Sequence, residues 1–117
     1  MRILVLDDEP ARHEVFMASW RGHHITRAWT AGDAQDALDG EPFDLVSLDH
    51  DLGPASRGTG MRVARHIVGM PADKRPAQVL IHSANPPAAI AMLDTLQRAG
   101  IASVRVDTMQ LPKLPPP

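Results

Sequence analysis

The chain has 117 residues, with 12 Lys and Arg against 14 Asp and Glu, six His and no Cys. That length suits one domain able to bury roughly two-thirds of its unfolded surface, and 44% apolar with 22% charged residues excludes a disordered chain. A formal charge of −2 gives no broad basic face for duplex DNA, the lack of Cys excludes disulfides, thiolate zinc sites and thiol catalysis, and no apolar run reaches the ~18 residues of a membrane span.

Arg2–Leu6 is a short apolar run stopped by Asp7-Asp8. Runs of this kind suit a parallel strand covered on both faces. The opening on a strand, without the pattern of a signal peptide, points to the cytoplasm. Pro10 fits the first turn of a helix whose stripe is Val15, Phe16, Ser19 and Trp20, ended by Gly22. His24–Trp29 is a weaker strand. Thr30 or Ala31-Gly32 opens a second helix with Ala34, Ala37 and Leu38 inward, stopped by Gly40. Residues 43–48 (FDLVSL) form the next strand and end in Asp49-His50-Asp51. After a Gly-rich loop, Met61–Val68 is a third helix, capped by Thr59-Gly60, with Val63, Ala64, Ile67 and Val68 inward. Gln78–Ile81 is a strand ending in His82-Ser83. Asn85-Pro86 starts a fourth helix, with Asn as N-cap and Ala89, Ile90, Leu93 and Leu96 as its stripe. Gly100 stops it, Ile101–Val106 is the last strand, and the tail LPKLPPP excludes an ordinary helix. Four of the eleven prolines fall in the last six residues.

Strict βαβαβαβαβ alternation predicts a parallel sheet with right-handed crossovers. Such sheets bind ligands beyond the carboxyl ends of their strands. Five of the 14 acids, Asp7, Asp8, Glu9, Asp49 and Asp51, sit at two such ends. Close carboxylates stay ionised when a cation joins them. Oxygen donors without Cys favour a hard ion, Mg²⁺ first and Mn²⁺ as the substitute, which leaves positions open for water and phosphate oxygens. An Asp after a strand also serves as a helix N-cap, which is the alternative for Asp8.

The neighbouring groups extend this reading. His50 and His82 can share acid and base roles on a phosphoester, or pack under a loop against a carboxylate. Successive strand residues face opposite ways, so Asp49 and His50 share one direction only where the strand has ended. Ser83 offers a donor to a phosphate oxygen, a nucleophile, or a hydroxyl satisfied by backbone. Asn85 is an N-cap at a helix end that can present amides to an anion. Arg12, one turn past the acid pair, either clamps phosphate or is a solvated helix charge. His13, His23, His24 and His66 lack evident partners, with His66 expected in solvent. Trp20 and Trp29 read as packing residues. Met17, Met61, Met70 and Met92 read as core or rim filler.

RILVLDDE, FDLVSLD and VLIHSA at this spacing resemble the receiver domain of two-component response regulators. The resemblance implies an α/β fold: a flavodoxin-like, CheY-like, doubly wound parallel sheet of five strands, (βα)4β, over residues 1–107. Residues 108–117 would be a Pro-rich tail in place of the fifth helix. It further implies Mg²⁺ on Asp7 and Asp8, a phosphoryl-accepting Asp49, the backbone carbonyl of Asp51 completing the metal shell, and Ser83 on the phosphoryl oxygens. The Lys that ends strand five in receivers is missing. That region reads VRVDTMQLP, and the only lysines are Lys74 and Lys113. LDHDLG and IHSANP are instead similar to a divergent branch, the cyclic-phosphate-processing receiver-like domains, in which Arg12 matches an Arg after the acid pair.

Three functions follow from the resemblance. The first is a metal-dependent hydrolase of cyclic nucleotide phosphate ends, on a phosphate-bearing small molecule or RNA end. Asp7, Asp8, Asp49 and Asp51 would hold the ion, and His82, His50, Asp49 and Ser83 would do the chemistry. Ser83, Arg12 and Asn85 would hold phosphate, with water or Asp49 as nucleophile. The second is a signalling receiver, a phosphoprotein taking phosphate on Asp49. The third is a pseudo-receiver interaction module without chemistry. Lacking helix five, one sheet face is expected to be covered by the tail or by a homodimer.

Overall fold

A computed structural model describes all of Met1–Pro117. Five strands and four helices alternate along the chain: β1 Arg2–Leu6, α1 Pro10–Ser19, β2 His24–Ala28, α2 Ala31–Gly40, β3 Leu45–Leu48, α3 Gly60–Gly69, β4 Gln78–Ile81, α4 Pro86–Arg98 and β5 Ser103–Arg105. All pairings are parallel, in the order β2-β1-β3-β4-β5. β1, β3 and β4 are adjacent, so the three chemically loaded strand ends meet at one edge of the core. This is the parallel α/β sheet that the alternation of elements predicts, in the doubly wound, CheY-like form that the resemblance implies.

The expected element limits shift where side chains find other work. Trp29 leaves β2 and stacks on His13, with ring centroids 4.0 Å apart. Asp44 stands outside β3, because its carboxylate accepts from the Arg2 N–H and its carbonyl from Ala77 and Gln78. Ile101 precedes β5, since its N–H still closes α4 onto the Leu96 carbonyl. Two helical stripes also turn. On α1 the inward residues are His13 and Phe16, followed by Trp20, while Val15 and Ser19 are exposed. On α4 Met92 is buried and Ile90 is 63% exposed. Both expectations ranked apolar character above position; a histidine takes the inward place because it has a polar partner there.

Local chemistry fixes the helix starts. The Thr30, Thr59 and Asn85 side chains accept from the N–H groups of Asp33, Met61 and Ala88. Each removes one orphan donor of a helix N-terminus. Gly60 opens α3 for a different reason. A Cβ there would lie 1.8 Å from the Asp49 carbonyl oxygen, so only glycine lets α3 approach the end of β3.

The core has two parts. One sheet face carries 19 buried residues under α2, α3 and α4, including Leu6, Leu48, Ile67, Ile81 and Leu96. The other carries Ile3, Val5, Phe16, Trp20, Leu45 and Leu80 under α1. No fifth helix follows β5. A single 3-10 turn, Thr108–Gln110, leads into the tail. Leu111 and Leu114 pack on the second cluster, and the Trp20 Nε1–H donates to the Pro112 carbonyl at 3.0 Å. The tail is therefore laid across the face where a receiver's last helix would lie. No helix is long and apolar enough to cross a membrane.

Candidate metal and phosphate site

The site begins with Asp7, the first residue beyond β1. Its side chain is fully buried, a position a carboxylate tolerates only when its lone pairs are used. Oδ1 accepts from the Glu9 N–H at 2.8 Å. Oδ2 accepts from Arg12 Nε at 2.7 Å and lies 2.9 Å from His82 Nε2. Burial pushes the Asp7 carboxyl up. The hydrogen bonds from His82, Arg12 and the Glu9 N–H outweigh it and hold the group at about 2. Asp7 is thus an anion at any ordinary pH.

Asp49, beyond β3, is also buried but poorly served. Its Oδ1 accepts from the His50 N–H at 2.8 Å, and Arg12 Nη2 stands 3.4 Å from Oδ2. Burial first, and then the Asp7 charge, lift its carboxyl to about 6. Two nearby acids are therefore pushed apart in pKa, the pattern expected where one group holds charge and the other handles a proton. Arg12 completes the cluster, with Nη2 3.5 Å from Asp8 Oδ1. Its hydrogen bond to Asp7 is the main cause of its raised pKa. The chain's own guanidinium thus stands among the acids where the sequence suggested an external cation.

His82, one residue past β4, is buried against this floor. Nδ1 lies 2.7 Å from Ser47 Oγ and Nε2 is on Asp7, so both ring nitrogens are engaged. Phe16 packs on the ring at 4.8 Å. His13, unpartnered in the sequence reading, is fully buried with Nε2 2.8 Å from the Asp7 carbonyl oxygen. A carbonyl only accepts, so Nε2 carries the proton and Nδ1, which has no partner, is bare. Burial lowers the His13 pKa, which fits a neutral ring.

The other expected site residues lie higher. His50 Nδ1 pairs with its neighbour Asp51 Oδ1 at 2.7 Å, and Asp51 Oδ2 is 3.5 Å from Asn85 Nδ2. Asn85 Oδ1 is spent on capping α4. Ser83 Oγ accepts from the Asn85 N–H at 3.0 Å, which leaves its hydroxyl hydrogen free to donate. His66 is tied to Gln35 and Asp39 rather than left to solvent.

A cavity of about 490 Å³ opens above the floor, within the range of small-ligand sites. Arg12, Asp49, Asp51, His82 and Ser83 line it from one side, and Arg105, Asp107 and Thr108 from the other. His50 and Asn85 are outside this lining. Sequence reasoning missed two residues. Arg105 donates only to the Ser83 carbonyl, at 3.1 Å, and no carboxylate lies within 4.0 Å of it. A lone Arg in the strand whose family position lacks Lys was the available signal. Ser47, a hydroxyl inside the apolar FDLVSL run, was the other.

Asp7, Asp49 and His82 each bring one donor atom to within 4.8 Å of the others. Two carboxylates, with Asp8 on the rim, form the oxygen-rich set that suits a hard divalent cation. The chemistry of these donors therefore fits the ion, and Arg12 would have to give up its place among them.

The fold and this acidic end define a receiver-type domain. A family model described as "Cyclic-phosphate processing Receiver domain" matches residues 2–98. The chain belongs to that family. Solved receivers share the fold. NtrX from Brucella abortus is 25% identical over 91% of this chain, with a TM-score of 0.70, and this chain spans 22% of that longer protein. The response regulator TrrA from Thermotoga maritima, solved with Mg²⁺ and BeF, is 27% identical over 91% of this chain and 86% of its own, with a TM-score of 0.68. A CheY-like receiver from Methylobacillus flagellatus, 16% identical with a TM-score of 0.69, covers 92% of this chain and 85% of its own. No curated protein matches.

Proposed function

We propose that the chain is a Mg²⁺-dependent phosphoesterase acting on cyclic nucleotide phosphate ends. One observation carries this: of two buried neighbouring carboxylates with opposite pKa tendency, Asp49 lines a nucleotide-sized cavity above Asp7, and the far wall of that cavity holds Arg105, whose one hydrogen bond goes to a backbone carbonyl. Arg105 and the Ser83 hydroxyl are positioned as donors to phosphate oxygens. Asp7, Asp8 and Asp49 would hold the ion, with the Asp51 backbone carbonyl beside them. When bound, the ion polarises the phosphoryl oxygens and acidifies water.

The remaining work belongs to this chain's residues. Arg12, released from the acids, turns to the phosphate. Asp49 attacks phosphorus itself, or accepts the proton of the attacking water through the oxygen that does not hold the ion. His50 keeps Nε2 free of partners at the rim, suited to protonating the leaving ribose oxygen once it swings inward. Arg105 closes the anion from the side of β5. The negative net charge is compatible with an RNA end, because one terminus needs few contacts.

The test is hydrolysis of a 2′,3′-cyclic-phosphate-ended oligoribonucleotide with and without Mg²⁺. Wild-type turnover that needs the metal and falls at least ~100-fold in Asp49→Asn supports the reading, the loss expected for a positioned acid–base group. No turnover with any metal contradicts it. A second reading, phosphorylation of Asp49, is favoured by the likeness to TrrA, whose structure holds Mg²⁺ and BeF. A hydroxylamine-labile adduct on Asp49 after incubation with acetyl phosphate would mark that function instead.

A further inference from the structure

His82 carries the histidine of the IHSANP segment, and a histidine beside a phosphate site invites the role of proton carrier. Its surroundings argue for another. The imidazole is fully buried, and it is fixed on three sides. Ser47 Oγ holds Nδ1 at 2.7 Å, Asp7 Oδ2 holds Nε2 at 2.9 Å, and Phe16 covers the ring. Ser47 is itself fully buried within β3, and its Oγ has no other hydrogen-bond partner. A proton carrier needs a ring nitrogen left free for substrate, and both nitrogens of this ring are engaged.

We infer that His82 is a positioning residue, locked by Ser47 as the Nε2–H tautomer, whose task is to hold the Asp7 carboxylate in place for the cation. This rests on the metal-binding reading above. The direction of the hydrogen bonds follows from chemistry. Asp7 Oδ2 already accepts from Arg12 Nε at 2.7 Å, so this oxygen is the acceptor and Nε2 the donor. The buried Ser47 hydroxyl has no other partner, so its hydrogen is satisfied only by donating into a bare Nδ1. The chain of donors runs from Ser47 on β3, through His82 beyond β4, to Asp7 beyond β1, and crosses the three central strands. His13 grips the same residue from below through its backbone carbonyl. Asp7 is thereby fixed at both its main-chain and side-chain oxygens. Partners that orient metal ligands typically change metal affinity by 10–100-fold when removed.

Two residue choices separate holding from proton transfer. Glutamine places its amide N–H near the Nε2 position of histidine but does not titrate, so it can hold Asp7 and cannot carry a proton. Alanine does neither. Mg²⁺ alone, titrated calorimetrically into wild type, Ser47→Ala, His82→Gln and His82→Ala, reads the holding role. We expect ~10-fold weaker Mg²⁺ binding in Ser47→Ala, up to ~100-fold in His82→Ala, and about threefold or less in His82→Gln. Nitrogen-15 spectra of the metal-free wild type read the tautomer directly, with Nε2 protonated and Nδ1 bare as the expected result. An Nδ1–H tautomer in wild type, or Mg²⁺ binding as weak in His82→Gln as in His82→Ala, overturns the inference. Wild type that binds no Mg²⁺ overturns the metal reading instead, and the tautomer of His82 then decides alone whether the Ser47–His82–Asp7 lock exists.

Discussion

The acidic end of the sheet has a floor and a rim, built from the same residue types in different surroundings. On the floor, Asp7, His82, Ser47 and His13 are buried, and each carboxylate oxygen of Asp7 has a donor. On the rim, Asp51 has a 67% exposed side chain, and its partners are the adjacent His50 and a 3.5 Å contact from Asn85. Buried polar groups in a low dielectric are costly unless satisfied, so the floor resists change. Exposed pairs in water are worth little, so the rim can rearrange around a ligand. Asp49 lies between the two, buried like the floor but supplied with donors like the rim. That intermediate position is what lifts its pKa to about 6.

The contrast can be broken most severely at Asp7. Asp7→Ala leaves His82 and Arg12 without their carboxylate, and breaking such a buried pair typically costs about 3–5 kcal/mol. Urea denaturation should show a loss of that size, whereas Asp51→Ala should change stability by less than about 0.5 kcal/mol. Equal losses would erase the distinction between floor and rim.

The next effect is a pH dependence of the metal-free protein. Asp49 titrates near 3.8 unfolded and near 6 folded, so between these values the folded state binds more protons and stability falls as pH rises. The loss should reach about 3 kcal/mol by pH 7. Asp7 has the opposite sign: its folded pKa is near 2, and the stability it confers is lost as pH falls from about 4 to 2. Urea melts in a chelator from pH 3 to 7 should therefore peak near pH 4 for these two groups. Asp49→Asn should flatten the upper limb and leave the lower one.

A smaller effect reaches the floor from beneath. Phe16 supports His82, and the tail covers the cluster that contains Phe16 and Trp20. Ending the chain at Asp107 uncovers Trp20 and removes two half-buried leucines, a loss of about 2 kcal/mol. Equilibrium denaturation checks the size, and a truncated chain as stable as the full one would deny the tail this role. Smallest of all is His50→Ala. It should leave stability within about 0.5 kcal/mol while lowering any cyclic-phosphate turnover, which separates rim chemistry from floor architecture.

Much of this arrangement was legible in the chain because period and punctuation agree. Alternating apolar runs and helical stripes gave the order of elements, and acids at the ends of β1 and β3 marked the site. The caps at Asn85 and Thr59 followed from residue type. Side-chain pairing across strands was not legible. Nothing near Ser47 in sequence announces that its hydroxyl meets His82, 35 residues away. His13 showed no evident partner in the sequence because its partner is a backbone carbonyl, which a side-chain pattern does not display. The sequence asked for an external cation among the acids, and the fold places Arg12 there first, since one helical turn is the right reach. Ile90, placed in the inward stripe from sequence, is 63% exposed, because tertiary packing turns a different face of α4 inward, the one that carries Ala89, Met92 and Leu96.

The most direct test of the central claim is a calorimetric titration of Mg²⁺ at pH 7 into wild type, Asp49→Asn and Asp51→Asn. Asp51→Asn keeps the backbone carbonyl, so it should bind one Mg²⁺ per chain as wild type does, and Asp49→Asn should bind at least ~10-fold more weakly. No saturable Mg²⁺ binding by wild type, or binding that survives Asp49→Asn unchanged, would contradict a cation site at the acidic end of the sheet.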